Sequence, residues 1–334
     1  MKTSLKLVML TALIFGSGCS HAKNGSESAN IMIDMKNAKD WCAGRYTIKI
    51  PSTAQSFAGG DKFNSFLIKS KLGANASDLN KAYELIVKEY TNSISKIDLN
   101  PPEKKVGSKT VRIFAAKGGT IKGAPSDLYA FILDRNVLFT LNIPYMPDKK
   151  QIVLDELDFI ISGLSARNSN VIPKEKGVCI TNGFIKDDGS KFRRSTHTIA
   201  FLDKAHPSVR ISLQVDAVSQ QLPDLITRTE NNLKRDGIAH ITKTSFKTIR
   251  KGEKQQSAVD KLNGLAWFGT APRKGQNGVI ATWEHGGTAK KSFDPAVKFD
   301  FDSGYDGNNI QTSSLNENES IKAYEQILNT IRKF

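Results

Sequence analysis

The chain has 334 residues, longer than one compact domain usually is, so two domains are the starting expectation. It carries 48 Lys and Arg against 33 Asp and Glu, a formal charge of +15, which favours acidic partners. Acids are interspersed among the cations rather than excluded from a long basic run, and nothing beyond the first residues is apolar enough to span a bilayer as a helix.

The N-terminus reads as an export signal. Lys2 and Lys6 precede an uncharged apolar run from Leu7 to Phe15, too short to cross a membrane. Gly16-Ser17-Gly18-Cys19 resembles a bacterial lipobox, departing from it at Gly16, where an aliphatic residue is usual. On that reading residues 1–18 are a signal peptide and Cys19 is a lipid anchor. Residues 19–30, rich in Ser, Asn and Gly, are then a flexible tether, and Ser20 in the sorting position favours the outer membrane. The other reading is ordinary cleavage after Ala22, because Ser20-His21-Ala22 has small residues at both required places. Either way the protein is exported to the periplasm, which argues against nucleic acid as its partner.

Removing the leader at Cys19 leaves Cys42 and Cys179. In an oxidising compartment they form either a disulfide, closing a loop worth roughly 4–5 kcal/mol, or two separately buried thiols.

The first domain is expected over residues 31–168. Tyr46, Ile48 and Ile50 alternate with polar neighbours as in a half-buried strand, and Pro51 ends the run. Residues 63–69 form a second strand. A helix is expected from Ala76 to Ile97, where Leu79, Tyr83, Ile86, Val87, Tyr90 and Ile94 recur at helical spacing. Residues 109–116 read as strand. Residues 129–133 and 137–143 read as a hairpin around Asp134-Arg135-Asn136. A helix over 149–165 turns Ile152, Leu157, Ile160, Ile161 and Leu164 inward.

Residues 169–176 are polar and serve as linker, and a second domain spans 177–334. It opens with a strand over 178–184 that repeats the cysteine-then-glycine pattern of residues 41–50. A charged loop covers 186–194, and residues 198–202 and 209–215 form a hairpin. A helix over 223–236 is stopped by Gly237. Strands follow over 240–249, 265–270, 279–284 and 297–301. The closing helix, 317–332, carries Ile321, Tyr324, Leu328 and Ile331 on one face. The fold class is α+β: two related domains, each a mainly antiparallel sheet with helices packed on one face.

No residues are assigned to catalysis, a cofactor or a metal. His197, His206, His240 and His285 lack the i, i+4 helical spacing of a zinc site, and neither Cys-x-x-Cys nor a Gly-x-Ser-x-Gly elbow occurs. Trp283-Glu284-His285-Gly286-Gly287 resembles half of a lipase oxyanion motif, but with no nucleophile or supporting motif it reads far better as a strand ending in a glycine turn, Trp283 in the core and His285 at the surface. Asp187-Asp188-Gly189 and Asp300-Phe301-Asp302 complete no calcium loop. Lys191, Arg193, Arg194, Arg273 and Lys274 sit in basic loops suited to the rim of a site for an acidic partner.

Taken in order, Trp41-Cys42-Ala43-Gly44-Arg45-Tyr46, Val178-Cys179-Ile180 with Gly183-Phe184-Ile185, Trp283 to Gly287 and the closing helix resemble the periplasmic or lipoprotein immunity proteins that neutralise phospholipase effectors of type VI secretion. The resemblance implies a stoichiometric inhibitor that clamps the active-site region of a cognate phospholipase, with no cofactor and no enzymatic activity. A second reading is an envelope lipoprotein holding a lipid or small solute between its domains. A third is an envelope hydrolase using Glu284 and His285.

Overall fold

The computed structural model describes residues 33–93, 96–117, 123–237, 239–240, 247–256, 262–270, 278–306, 309–310 and 312–334. The leader, Cys19, the tether, Arg273 and Lys274 lie outside the described residues.

Nine strands and two helices make up the first half: β1 (Lys39–Ala43), β2 (Tyr46–Ile50), β3 (Ala54–Phe63), β4 (Phe66–Leu72), α1 (Ala76–Thr91), β5 (Lys96–Leu99), β6 (Lys104–Val106), β7 (Lys109–Lys117), β8 (Ser126–Asp134), β9 (Val137–Tyr145) and α2 (Lys150–Gly163). Three short strands follow, β10 (Leu164–Ala166), β11 (Gly177–Ile180) and β12 (Gly183–Lys186). The remainder comprises β13 (Ser195–Asp203), β14 (Arg210–Ala217), α3 (Leu225–Arg235), β15 (Lys247–Gln256), β16 (Asn263–Thr270), β17 (Val279–His285) and β18 (Ala296–Asp302). It closes with β19 (Tyr305–Asp306), β20 (Asn309–Ile310), α4 (Glu317–Leu328) and β21 (Arg332–Lys333). This is the expected α+β class, with mainly antiparallel sheets and a few helices.

One sheet of 13 strands runs through both halves in the order β15-β16-β17-β18-β14-β13-β3-β4-β9-β8-β7-β5, with β6 also on β7. The halves meet where β3 pairs antiparallel with β13, Phe63 opposite Ser195 and Ala54 opposite Asp203, with a bulge beside Phe57. Alternation along the strands supplies two apolar faces. Leu157, Ile160 and Ile161 of α2 pack against Val111, Ile113 and Phe139. Leu79 and Tyr83 of α1 pack against Phe114, Phe131 and Leu138, their neighbours along the same strands. Helices therefore cover both faces of the sheet, not one, because β7 to β9 are apolar on both.

The N-terminal strands do not stay with their own half. Tyr46, Ile48 and Ile50 of β2 join Leu213, Phe299, Trp283, Tyr324 and Ile331 in one core. Strand β2 is flanked by β1 on one side and by the chain's last strand, β21, on the other, with Thr47 opposite Arg332.

Several boundaries differ from expectation. Helix α1 ends at Thr91, capped by Asn92 and by Ser93, whose hydroxyl donates to the Tyr90 carbonyl. Ile97 then lies in β5, on the edge of β7, where the sheet claims it instead of the helix. Ile152, expected inward, is exposed because burial along α2 begins only at Glu156. The closing helix stops at Leu328, and residues 332–333 leave it to pair with β2. Strand β15 lies over 247–256 rather than 240–249, with residues 241–246 outside the described set. As expected, Gly237 follows α3 with φ +72. Among the described residues no helix is long and apolar enough to cross a membrane.

Candidate partner-binding cleft

Cys42 on β1 and Cys179 on β11 are joined in a disulfide, with Cα atoms 5.8 Å apart, so the bridge is the alternative realised. Backbone hydrogen bonds reinforce it. Gly44 N donates to Cys179 O at 3.0 Å and Cys179 N to Gly44 O at 2.7 Å. Gly44 is required there: its φ is +55, and a Cβ would lie 2.7 Å from Val215 Cγ1. The two cysteine stretches that resemble one another in sequence thus touch in space.

Beside this junction lies a cleft of about 610 Å³, floored by Trp41, Cys42, Gly59 and Ile199 and walled by Leu72, Arg135, Arg167, Thr181 and Asn182. Its lining includes two arginines and no carboxylate. Arg167 holds the wall together. Its guanidinium donates to the carbonyls of Gly183 at 3.2 Å, Asn168 at 3.0 Å and Val171 at 2.7 Å. Burial pushes this guanidinium down to about 10, against the smaller opposing pull of Asp61. Asp61 fixes the facing strand: one oxygen meets His197 Nδ1 at 2.9 Å, and the other accepts from Thr181 N at 2.9 Å and Thr181 Oγ1 at 2.7 Å. Arg135, with φ +53, has an exposed side chain reaching the Ala166 carbonyl. A pre-formed concave surface of this kind can receive a protruding segment without reorganising.

The basic loop residues have separate fates. Arg193 is buried, its Nε 3.0 Å from Glu156 and one terminal nitrogen 3.0 Å from Asp187. Asp187 also binds Arg45 at 2.5 Å, so the β1–β2 turn, α2 and the 187–194 loop share one buried ion network. Lys191 pairs with Glu156 from an exposed position, and Arg194 is exposed. Only Lys191 and Arg194 therefore reach the surface among the described members of that set.

The network has a pH signature. Burial alone would raise the Glu156 carboxyl, but hydrogen bonds and charge from Lys191 and Arg193 outweigh it and hold the group below its ordinary 4.5. A carboxylate depressed in the folded state contributes stability that is complete above the unfolded value and is lost as pH falls through the folded one. Acid unfolding followed by tryptophan fluorescence should therefore begin below about pH 4.5, and Glu156→Gln should flatten that limb. An unchanged acid limb in the variant would remove Glu156 from the account.

Glu284 and His285 are likewise committed. Glu284 accepts from both terminal nitrogens of Arg228, one at 3.0 Å. His285 bonds the Asn263 carbonyl at 2.8 Å and Asp294 at 3.2 Å, and the nearby Thr288 hydroxyl donates to Asp294 rather than to the imidazole. This geometry holds the turn after β17 in place; it does not activate a hydroxyl. Asp300 binds Ser212 and Thr282 across neighbouring strands.

Residues 171–333 match the family model described as the Tle cognate immunity protein 4 C-terminal domain. The match takes in nearly all of the second half of the chain and supports the resemblance to immunity proteins of type VI secretion lipases. Among solved structures it is similar to the apo immunity protein TplEi of the type VI secretion system from Pseudomonas aeruginosa. That likeness has a TM-score of 0.73 at 18% identity, covering 90% of this chain and 98% of that one. A chain of the Tle4–Tli4 complex gives the same values. TplEi from P. aeruginosa complexed with an "L" peptide gives a TM-score of 0.68 at 18% identity, over 90% and 99% of the two chains. At this identity the likeness is one of fold. No curated protein sequence matches the chain.

Neither Arg167 and Thr181, which line the cleft, nor Asp61, which braces Thr181 from behind, carries a sequence signal for that role. Their partners lie up to 136 positions away, and none belongs to a recognisable motif.

Proposed function

We propose that this chain is a periplasmic immunity protein that binds a cognate type VI secretion phospholipase and inhibits it stoichiometrically, clamping its active-site region. The observation that carries the reading is the family match over residues 171–333, and the Tle4–Tli4 complex among the similar folds supports it. The cleft between the disulfide junction and the Arg167-braced wall is the place where a segment of the toxin would be gripped. Inhibition then works by occlusion and immobilisation, with no bond made or broken by the inhibitor, as suits a toxin whose access elements must move to admit lipid. Residues 31–168 and 177–334 act as the two arms of the clamp. In the cell Cys19 carries the lipid that anchors the protein to the outer membrane.

The test is coexpression with the cognate phospholipase directed to the periplasm. Cells should survive, and the purified pair should coelute as a stoichiometric complex with lipase activity suppressed. Lysis despite abundant, folded protein would sink the proposal. Copurification of a lipid or small solute in the cleft, with no effect on the phospholipase, would favour a solute-binding lipoprotein instead.

A further inference from the structure

Three segments converge at one end of the sheet, at the boundary between its halves. The β3–β4 turn is tied to the loop before β13 by Asn64 N donating to Arg194 O at 2.8 Å. That loop is tied to the segment before β18, with Arg193 N donating to Ser292 Oγ at 3.2 Å and Ser292 Oγ to Lys191 O at 3.3 Å. Lys290 N donates to Val218 O at 2.8 Å, just past the end of β14. The chain leading into β11 joins the group, since Asp187 N donates to Lys176 O at 3.3 Å.

These segments expose Lys62, Lys176, Arg194, Lys290 and Lys291, and none of the five forms an ion pair with a carboxylate among the described residues. The acids that these segments carry or bind are already engaged. Asp187 and Glu156 are buried in the ion network, Glu175 is paired with Lys186 at 2.8 Å, and Asp294 binds His285 and Thr288. Asp188, the remaining exposed carboxylate there, is turned onto Ser190. What sets this end apart is that segments distant in sequence bring five such cations together. The potential they sum to is long-ranged at low salt and screened beyond about 8–10 Å at physiological ionic strength.

We infer that this end of the molecule is a docking face for an acidic surface of the protein partner, distinct from the cleft and serving to accelerate and orient encounter. The inference rests on the inhibitor reading above. An acidic protein fits better than a membrane, because residues 62–65, 174–176, 188–194 and 288–294, which carry these cations, present no exposed large apolar side chain to insert. The Phe293 ring at their centre is instead covered by Arg45, Lys176 and Lys333.

The test compares the mature protein with its K62E/R194E/K290E/K291E variant by stopped-flow association with the cognate phospholipase, from 50 to 300 mM NaCl. All four side chains are exposed, so equal thermal midpoints are expected and are checked first. Wild-type association should slow about tenfold or more across that salt range. At low salt the variant should associate about tenfold or more slowly, with dissociation nearly unchanged. Association rates equal in the two proteins and insensitive to salt would overturn the docking face while leaving the inhibitor reading intact. Loss of binding to vesicles containing phosphatidylglycerol, with toxin association unaffected, would overturn it in favour of a lipid surface. If wild type forms no complex, the inhibitor reading falls and this inference with it.

Discussion

Replacing Cys42 and Cys179 together by alanine is expected to lower the free energy of unfolding by about 5 kcal/mol. The bridge spans 137 residues of chain, and closing so long a loop removes much of the conformational freedom of the unfolded state. Both sulfurs lie in a small buried cluster with Phe184, so the alanines also leave a modest void. Because domains are usually stable by only about 5–15 kcal/mol, the loss is a large fraction of the whole. Urea unfolding with and without dithiothreitol measures it, with thiol titration confirming that the bridge has opened. A midpoint that stays in place once the thiols are free would show that the Gly44–Cys179 backbone bonds suffice alone.

Arg193→Met is the second large effect, with an expected cost of about 3–5 kcal/mol. Removing the guanidinium leaves Glu156 and Asp187 in place but takes from each a partner inside the protein. Methionine retains some of the packing against Phe159, whose ring centre lies 3.6 Å from the Arg193 guanidinium carbon, so the electrostatic loss dominates. Lys191→Met is the internal control. That side chain binds the same Glu156 from an exposed position and should cost about 1 kcal/mol or less. Adding Glu156→Gln to Arg193→Met should recover part of the loss, since a neutral amide needs less compensation in the same place. Equal costs at 191 and 193 would mean that burial does not set the value of these pairs.

That contrast also shows what the sequence could and could not disclose. Lys191, Arg193 and Arg194 are near-neighbours in a basic loop and read alike. Whether each points outward depends on Glu156, 37 residues before Arg193, and on the strand that Arg194 precedes. Strands with one packed face and a regular alternation, such as β14 and β18, were legible because burial imposes the period of two. Strand β3 was not. Most of its length from Ala54 to Gly60 is exposed, it holds Gly59 and Gly60, and it pairs with β13 in the other half of the chain. Nothing local demands a strand there; the demand comes from its neighbours. The cysteine stretches could be recognised as related, but only their contact in space showed that they bind one another.

The partnership of β2 with β21 bears on when the protein can become itself. Thr47 Oγ1 donates to the Arg332 carbonyl across a separation of 285 residues, and the hairpin carrying Cys42 is seated in a core completed by Tyr324 and Ile331. The first strands made are thus among the last to find their place, since their resting site does not exist until the ribosome has reached the final residues. Long-range pairings of this kind slow folding, and they leave early segments exposed while they wait. The β1–β2 hairpin of such a chain cannot settle while the chain is being synthesised, which would suit the exported immunity protein proposed above.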